Sequence, residues 1–556
     1  MDVRDILDGE IRKALSDLCG EYDIKVTIPE ILLERPKRQG QGDWATNVAM
    51  QMARSFGMPP RKLASLIVGK FQENEYILKV EIAGPGFINF FLTDRWIRTL
   101  IDSIISEGPN FGKPDLGGGR KVQVEFVSAN PTGPLHVGHG RGAAVGDITS
   151  NILSFAGWEV KREYYVNDAG LQMDILGRST RARYFELAGD AEKAPFPEDG
   201  YKGNYIYDLA REVMEKEGTW LLDADPGESL SYFRNYASGR ILNTIRRDLE
   251  EFGVKYDRWF SEKSLYDDDL VPRTVAFLKK KGYVYEAEGA VWFKSTAFED
   301  EKDRVLIRAN GVPTYFASDV AYHKDKFDRG FDRVIDVWGA DHHGYIPRVR
   351  SAIKALGRDP EAFSVSLIQF VNLLRGGEQV AMSTRAGEFI TLRDVLDEVG
   401  VDATRYFFVM RSSDSSLDFD LELAKKQSSD NPVYYIQYAY ARICSIFREA
   451  DSRNLSWNIA DGFDESLLSS PEERKLLSRL SAFPDEAVKA ANELAPHIIA
   501  NYVLELARDF HSFYNAHRIL GEEGNIMKAR MALAEAAGVI LSINLGLLGI
   551  SAPERM

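Results

Sequence analysis

Cysteine is almost absent from this 556-residue chain, which contains only Cys19 and Cys444. Two cysteines so far apart exclude a disulfide framework and a cysteine-based zinc site, and we expect both to be buried bystanders. Long apolar runs are missing as well. No uninterrupted stretch approaches the ~20 residues that cross a bilayer, and the first ten residues are acidic rather than signal-like. The sequence therefore predicts a cytoplasmic protein with no membrane partner.

An excess of positive charge is also lacking. The chain carries 69 Lys and Arg against 84 Asp and Glu, a net charge of −15 and a pI near 5.2. Indiscriminate nucleic-acid binding needs a basic surface, so the composition argues against it. Two local basic runs, RPKRQG at 35–40 and PPRKLA at 59–64, are typical of a solvated face, although they can also form a local footprint.

The usual phosphate-binding motifs are not found, since the chain has neither GxxxxGK[ST] nor a strict GxGxxG. It does contain SANPTGPLHVGHGRG at 128–142. A metal site would explain His136 and His139, but zinc needs three or four ligands. The further candidate ligands within ten residues are Glu125 and Asp147 alone. We therefore expect no protein-bound metal. The remaining interpretations are a plain surface turn and a nucleotide-binding turn.

The flanking residues favour the nucleotide-binding turn. Upstream, KVQVEFV alternates apolar and polar residues as a strand does. Downstream, Ala144, Ile148 and Ile152 recur at helical spacing, which predicts a helix from about residue 139. A strand-to-helix turn directs backbone N–H groups and the positive end of the helix dipole at a bound phosphate. Gly138, Gly140 and Gly142 allow a close approach of the nucleotide.

HVGH is similar to the HIGH motif of class I aminoacyl-tRNA synthetases, and the longer string EFVSANPTGPLHVGHGR resembles arginyl-tRNA synthetases specifically. The resemblance implies that His136 and His139 are catalytic and contact the phosphates of ATP, with Mg²⁺ arriving on the ATP. The implied partners are ATP, L-arginine and tRNA(Arg). The implied ATP-binding residues are Ala129, Asn130, Pro131, Thr132, Gly133, Pro134, Leu135, His136, Val137, Gly138, His139, Gly140, Met382 and Ser383.

The expected fold class is α/β, a Rossmann-like parallel-sheet catalytic domain with an N-terminal α+β domain and a C-terminal all-α helical bundle. Residues 1–110 resemble the family's N-terminal additional domain, through GDWATN and GPGFINF, which implies contact with the outer corner of tRNA. Residues 111–372 form the catalytic domain, with a helical insertion at about 180–290. Residues 373–429 hold a KMSKS-like loop and a stem-contact region, and 430–556 form the anticodon-binding domain.

A second strand-to-helix turn is predicted at ADHHG, because RVIDVW precedes it and Ile346, Val349 and Ile353 follow at helical spacing. In an open parallel sheet, ligands bind where the strand order reverses, so HVGH and ADHHG are expected to face one crevice. Within QGDWATNVAMQMARSFG we predict a helix, and within KVEIAGPGFINFFL a strand, a turn and a second strand.

Recognition of an arginine side chain requires carboxylates and planar acceptors. The resemblance supplies Glu125 and Asn130 beside HVGH, and Tyr315 and Asp319 in PTYFASD, which are four residues apart and share one face of a helix. His343, near Asp341, is the remaining candidate. Each also has an ordinary interpretation, as an exposed strand position, a surface residue or a core residue.

The C-terminal segment beginning at YYIQYAYARI resembles the family's anticodon-binding domain. Tyr434, Tyr438 and Arg442 fall on one helical face and are candidates for stacking on tRNA bases. Tyrosines at this spacing more often pack in a core.

The second half of the ATP site is altered. NLLRGGEQVAMSTRAGEFITL at 372–392 resembles the KMSKS region, but Ala381 and Thr384 stand where the lysines are expected. A lysine that replaces the second one in some relatives is also missing, because Gly133 occupies its place. Phosphate charge still needs a cation, so we predict that Arg385 is catalytic, with Arg375 as the second choice. The competing interpretation is a surface pair between Arg385 and Glu388.

Two functions remain open from the sequence. The first is an arginyl-tRNA synthetase, a monomer by default. The second is a non-catalytic tRNA-binding or regulatory relative of the same fold. A synthetase for another amino acid is disfavoured by the two acidic pocket candidates.

Overall fold

The computed structural model describes residues 3–36, 41–72, 74–380, 390–455, 457, 462–521 and 524–556. Met382, Ser383 and Arg385 lie outside these described residues, as do positions 37–40 of the first basic run. Cys19 and Cys444 are half-buried free thiols rather than fully buried ones.

The N-terminal unit packs helices on an antiparallel sheet. Its helices are α1 Val3–Glu21, α2 Val48–Met52, α3 Pro60–Val68 and α4 Arg95–Glu107, and its strands are β1 Leu33–Glu34, β2 Trp44–Thr46, β3 Ile77–Ala83 and β4 Phe87–Leu92, in the order β1-β2-β4-β3. The β3–β4 hairpin confirms the strand-turn-strand prediction. The predicted helix before it was wrong in part, because β2 pairs with β4 first and only five residues of α2 follow. Three residues are too few for alternation to reveal a strand.

The central sheet is parallel and five-stranded. Its strands are β5 Lys121–Glu125, β6 Glu159–Val166, β7 Arg258–Ser261, β11 Arg333–Gly339 and β12 Phe363–Ile368, in the order β12-β11-β5-β6-β7. Helix α5, Val137–Phe155, follows β5, and α12, Ile346–Ala355, follows β11. From β5 the chain continues to β6 on one side, while β11 lies on the other. The strand order therefore reverses beside β5, where an open sheet binds its ligands.

The segment between β6 and β11, which includes the predicted insertion at about 180–290, is mostly helical. Its elements are α6 Leu171–Leu187, α7 Asn204–Glu217, α8 Pro226–Glu251, α9 Ser264–Asp267, α10 Leu270–Lys280, β8 Val284–Ala287, β9 Ala290–Phe293, β10 Arg304–Ile307 and α11 Tyr315–Asp328. β8, β9 and β10 form a small antiparallel sheet. The segment also contains β7, a strand of the central sheet. The sequence analysis missed β7 because four residues of mixed polarity, RWFS, lie between long helical patterns.

The last part of the chain is a small sheet followed by a helical bundle. Its elements are β13 Val371–Arg375, β14 Glu378–Gln379, α13 Leu392–Val399, α14 Val401–Val409, β15 Leu417–Asp420, α15 Leu421–Lys425, α16 Pro432–Ser452, α17 Pro471–Glu493, α18 Pro496–Ala516 and α19 Gly524–Leu548. By length and composition α19 is apolar enough to cross a membrane, but 78% of its most apolar window is buried. It packs on α4, α5, α16, α17 and α18 as a core helix does.

The helical bundle is anchored to the catalytic domain by a buried arginine. Arg405, on α14, donates to the carbonyl oxygen of Leu548 at 2.9 Å, to that of Phe252 at 3.1 Å, and to the Asp147 carboxylate at 2.6 Å. Asp147 lies on α5, so this one guanidinium joins the last helix of the bundle to the helix that follows HVGH.

Candidate active site

The HVGH histidines form the first turn of α5. His136 is the N-cap residue, and its Nδ1 accepts from the backbone N–H of Gly138 at 3.1 Å and of His139 at 3.4 Å. The His136 N–H in turn donates to Nδ1 of His139 at 3.3 Å. The two rings stack with centroids 3.7 Å apart. The helix begins at Val137, two residues before the predicted start.

This capping geometry sets the chemistry of both histidines. A ring nitrogen that accepts from a backbone N–H carries no proton in the neutral ring, so Nε2 carries it. Burial lowers the pKa of His136, and burial together with His136 lowers the pKa of His139 to about 3. Both rings are therefore neutral at pH 7 and present Nε2–H as a donor, which suits phosphate oxygens.

A cavity of about 550 Å³ lies at the carboxyl ends of the strands. It is lined by the turn after β5, by the HVGH turn, by the end of β11 with ADHHG, and by the segment after β12. The prediction that HVGH and ADHHG face one crevice is confirmed. Of the expected ATP-binding residues, the cavity lining includes Ala129, Asn130, His136, Val137, Gly138 and His139.

The residues of the 129–140 stretch that do not line the cavity hold the turn through contacts with other segments of the chain. The Thr132 carbonyl accepts from the Tyr205 hydroxyl at 2.7 Å, and the Leu135 carbonyl accepts from the Leu392 N–H at 2.7 Å. A Cβ on Gly140 would lie 2.7 Å from the Leu392 side chain and 2.9 Å from the Phe408 ring, so a larger residue there would require these side chains to shift. Pro131 is buried, while Gly133 and Pro134 are half-buried.

Helix α11 brings two of the arginine-pocket candidates to this end of the sheet. Tyr315 is its first residue and is 60% exposed, and Asp319 follows one turn later. The Tyr345 hydroxyl donates to the Asp319 carboxylate. Burial raises the pKa of Asp319 in spite of that hydrogen bond. Asp319 is therefore a desolvated carboxylate.

A second buried acid lies nearby and was missed by the sequence analysis. Glu262 is 4% exposed, directly after β7. Burial raises its pKa to about 7, and the negative charges of Asp319 and Asp168 add to the rise. The Asn167 amide donates to its Oε2 at 2.8 Å. Burial raises the pKa of the Tyr165 hydroxyl, and the negative charges of Glu262, Asp319 and Glu125 add to the rise.

Glu125 is held by partners within the protein. Its Oε2 accepts from Lys326 at 2.6 Å and its Oε1 from the Ser128 hydroxyl at 2.8 Å. Lys326 is fully buried and also donates to Asp336 at 2.7 Å. The Glu125 carboxylate is thus part of a buried ion cluster in the wall of the site.

The ADHHG turn is a 3₁₀ helix, Ala340–Tyr345. Asp341, His342 and His343 are all exposed, and Asp341 and His342 line the cavity whereas His343 does not. His343, which was predicted, and His342, which lines the cavity, are therefore neighbours on the same turn.

The KMSKS-like region joins the HVGH turn at its downstream end. Thr391 forms an isolated antiparallel bridge with His136, and Leu392 bonds to Leu135 as described. Upstream, Arg375 is paired with Glu398 at 2.6 Å and with Glu422 at 3.3 Å. Arg375, the second choice for a phosphate cation, is therefore engaged in a surface ion cluster. Arg385 and Glu388, the two members of the competing surface pair, lie outside the described residues.

Arg141 links the two halves of the site. Its buried guanidinium donates to four backbone carbonyls, those of Gln369 at 2.9 Å, Ser415 at 2.8 Å, Ser412 at 2.9 Å and Phe408 at 3.3 Å. Gln369 lines the cavity. The helix that begins at HVGH thus fixes the opposite wall directly.

The predicted stacking residues lie together on α16. The rings of Tyr434 and Tyr438 are parallel, with centroids 6.1 Å apart and 14° between their planes. Arg442 lies 4.4 Å over the Tyr438 ring and 4.4 Å over the Tyr514 ring. Beside them is a cavity of about 820 Å³ whose lining includes Arg448, Arg453, Arg518 and Arg555. A basic pocket is therefore present on an acidic protein.

Three family models match this chain. The model described as "tRNA synthetases class I (R), catalytic domain" matches residues 101–416, more than half of the sequence. "Arginyl tRNA synthetase N terminal domain" matches residues 5–92, and "DALR anticodon binding domain" matches residues 436–556. The chain belongs to the arginyl-tRNA synthetase family.

Individual relatives agree over nearly the whole length. An arginine–tRNA ligase of Syntrophotalea carbinolica is 55% identical over 95% of this chain and 96% of its own. That of Desulforudis audaxviator is 50% identical over 99% and 97%. Among solved structures, a putative arginyl-tRNA synthetase of Campylobacter jejuni has a TM-score of 0.76 at 37% identity, over 84% of this chain and all of its own. The Thermus thermophilus arginyl-tRNA synthetase shares the fold, with a TM-score of 0.75 at 23% identity over both full chains.

Membership in the arginyl-tRNA synthetase family confirms the resemblance and the fold class predicted from the sequence. It makes the chain an aminoacyl-tRNA ligase of class I and favours the catalytic interpretation over the non-catalytic one. Glu262 had one signal in the sequence, its place directly after a strand of the parallel sheet, but that strand was not recognised.

Proposed function

We propose that the cavity at the HVGH turn activates L-arginine with ATP to arginyl-adenylate and transfers the arginyl group to the 3′ end of tRNA(Arg), releasing AMP and pyrophosphate. The observation that carries the proposal is the pair of neutral, stacked histidines that caps α5 inside this cavity. Their Nε2–H groups and the positive end of the helix dipole act on the same phosphate oxygens.

In the first step a carboxylate oxygen of arginine attacks the α-phosphorus of ATP, and the bond to pyrophosphate breaks. His136 and His139 donate to phosphate oxygens on which negative charge accumulates, and their neutrality means that neither has to lose a proton. No covalent enzyme intermediate is needed, so positioning supplies most of the rate. Mg²⁺ bound to the ATP would neutralise phosphate charge. Among the described residues no group of three or more candidate metal ligands is found.

For arginine recognition we assign the guanidinium to Asp319 and Glu262. Glu262 is buried and Asp319 is half-buried, and the negative charge of Asp319 raises the pKa of Glu262. A cation would stabilise such a pair of carboxylates. Tyr315 is proposed to cover the side chain, and Asn130 to bind the amino end. On the ADHHG turn we assign Asp341 and His342 in preference to His343, because these two line the cavity. Arg385 is proposed as the cation that replaces the lysines of the KMSKS motif.

For tRNA we propose that 430–556 binds the anticodon, with Tyr434, Tyr438 and Arg442 as stacking and phosphate-binding residues. The rings and the guanidinium lie beside a basic pocket, which supports this assignment. Residues 1–110 are proposed to contact the outer corner of tRNA, and 373–429 its stem. We further propose that the enzyme is a cytoplasmic monomer, to be checked by the mass measured in solution.

A single aminoacylation panel tests the function. The purified chain is incubated with ATP, total tRNA and each of the twenty amino acids, and charged tRNA is measured. Charging with arginine alone is expected. Charging with another amino acid, or none at all with arginine, would refute the proposal.

A further inference from the structure

The turn between β5 and the ATP-binding loop has an unusual backbone. Val127 and Ser128 both have left-handed φ values, of 69° and 42°. This conformation disfavours residues with a side chain, and a β-branched valine most of all. Such strain persists only where the surroundings hold it in place. Ala129 and Asn130, which line the cavity, follow immediately.

The Ser128 side chain holds this turn. Its hydroxyl donates to Glu125 Oε1 at 2.8 Å and accepts from the Tyr165 N–H at 3.1 Å. One bond reaches back to the end of β5 and the other across to β6. Together they fix the strained residue between two strands of the sheet.

The ion cluster behind the turn fixes Glu125 in its place. Glu125 and Asp336 are register partners on the adjacent parallel strands β5 and β11. Two buried carboxylates side by side repel each other unless a cation bridges them. Lys326 of α11 supplies that cation, 2.6 Å from one and 2.7 Å from the other. His323 bonds to the second oxygen of Asp336 at 3.1 Å.

We propose that Lys326, Glu125 and Ser128 are positioning residues that hold the left-handed turn, and with it Asn130, in the geometry that adenylate formation needs. The inference rests on the proposed function. Glu125 affects the use of arginine because it positions the turn. It does not pair with the guanidinium of the substrate, because both of its carboxylate oxygens already accept hydrogen bonds from donors within the protein. Lys326 lies on the same helix as Asp319, so one helix sets both the arginine pocket and the ATP-binding turn.

The first test removes the hydroxyl. In Ser128→Ala, arginine-dependent ATP–pyrophosphate exchange, measured with tRNA present, should lose roughly tenfold to a hundredfold in kcat/KM, as small misplacements of reacting groups do. Ser150→Ala is the matched control, since Ser150 is a buried serine on α5 whose hydroxyl bonds, among the described residues, to the Gly146 carbonyl of the same helix. The two variants should have similar Tm values. If Ser128→Ala fails to fold, Ser128→Gly removes the hydroxyl while accepting the left-handed backbone.

The second test separates positioning from direct arginine binding. Glu125→Gln keeps an oxygen for Ser128 but turns an amide donor toward the Lys326 ammonium, and it should lose activity. Adding Lys326→Met removes that conflict and leaves the cluster with the same formal charge, since one negative and one positive group are lost together. The double variant should recover most of the arginine kcat/KM.

Wild-type kinetics in Ser128→Ala would overturn the proposal. So would a double variant that regains its Tm but not its arginine kcat/KM, because Glu125 would then bind the substrate itself. A wild-type chain that activates no arginine would instead refute the proposed function, so the wild type is measured first.

Discussion

Glu262→Gln should change arginine affinity and stability in opposite directions. Glu262 is buried, and its pKa is raised from 4.5 to about 7. A folded-state pKa above the unfolded one means that the native state binds more protons, so stability falls as pH rises from about 4.5 to 7. The full difference corresponds to roughly 3 kcal/mol at pH 8. Replacing Glu262 with glutamine removes the free-energy cost of ionising a buried carboxylate.

The same ionised carboxylate is the proposed partner of the guanidinium. Loss of one member of a buried charge pair typically costs about 2–5 kcal/mol of binding. In the wild type, kcat/KM for arginine should therefore rise as pH increases through about 7, where Glu262 loses its proton. The variant should lack this rise and bind arginine weakly at every pH.

Two measurements test these expected effects of Glu262→Gln on stability and on arginine binding. Thermal unfolding without ligand at pH 5 and pH 8 should show Glu262→Gln to be more stable than the wild type at pH 8 only. Exchange kinetics over the same range should show the flattened arginine profile. Glu198→Gln, which changes an exposed glutamate of the insertion, is the control. Equal stability at pH 8 together with unchanged arginine kcat/KM would refute the reasoning.

Three further outcomes are expected. Asp319→Ala should weaken arginine use by ~2–4 kcal/mol while the KM for ATP stays constant. Steady-state kinetics in which arginine and ATP are varied separately will show whether the arginine kcat/KM falls without a change in the KM for ATP. Arg385→Ala should slow single-turnover activation by ~100-fold, or ~2.7 kcal/mol, with an unchanged Tm; a wild-type rate would leave the phosphate charge to the ATP-bound Mg²⁺. A chain ending at residue 428 should lose ATP binding as well as charging, because Arg405 loses the Leu548 carbonyl. Retention of ATP binding by that chain, measured by equilibrium dialysis, would contradict this coupling.

Patterns that extend over a whole element were predictable from the sequence. The alternation in β5 and the helical spacing in α5 defined the HVGH turn, and helical spacing placed Tyr434, Tyr438 and Arg442 on one face. Elements of three or four residues were not predictable, because β2 and β7 are shorter than the window in which a period can be recognised. Missing β7 also meant missing Glu262.

Contacts between distant parts of the chain were beyond the sequence for another reason. Glu125 was predicted to face arginine, and its pairing with Lys326 depends on a residue 201 positions away. Spacing carries no information about such a pair. The same holds for His342 and His343, since a 3₁₀ turn and an α turn direct neighbouring side chains differently.

The Arg141 contacts also set the order in which the enzyme can mature on the ribosome. The carbonyls that bind its guanidinium are synthesised 228 to 274 residues later. At about 5–20 residues per second, the chain extends for roughly 14 to 55 seconds after Arg141 before the last of them exists. During that time the nascent HVGH helix has no opposite wall, and the acceptor for Arg405 at Leu548 is made later still. A nascent chain that stops before residue 415 therefore lacks acceptors through which this structure joins the two walls of the site.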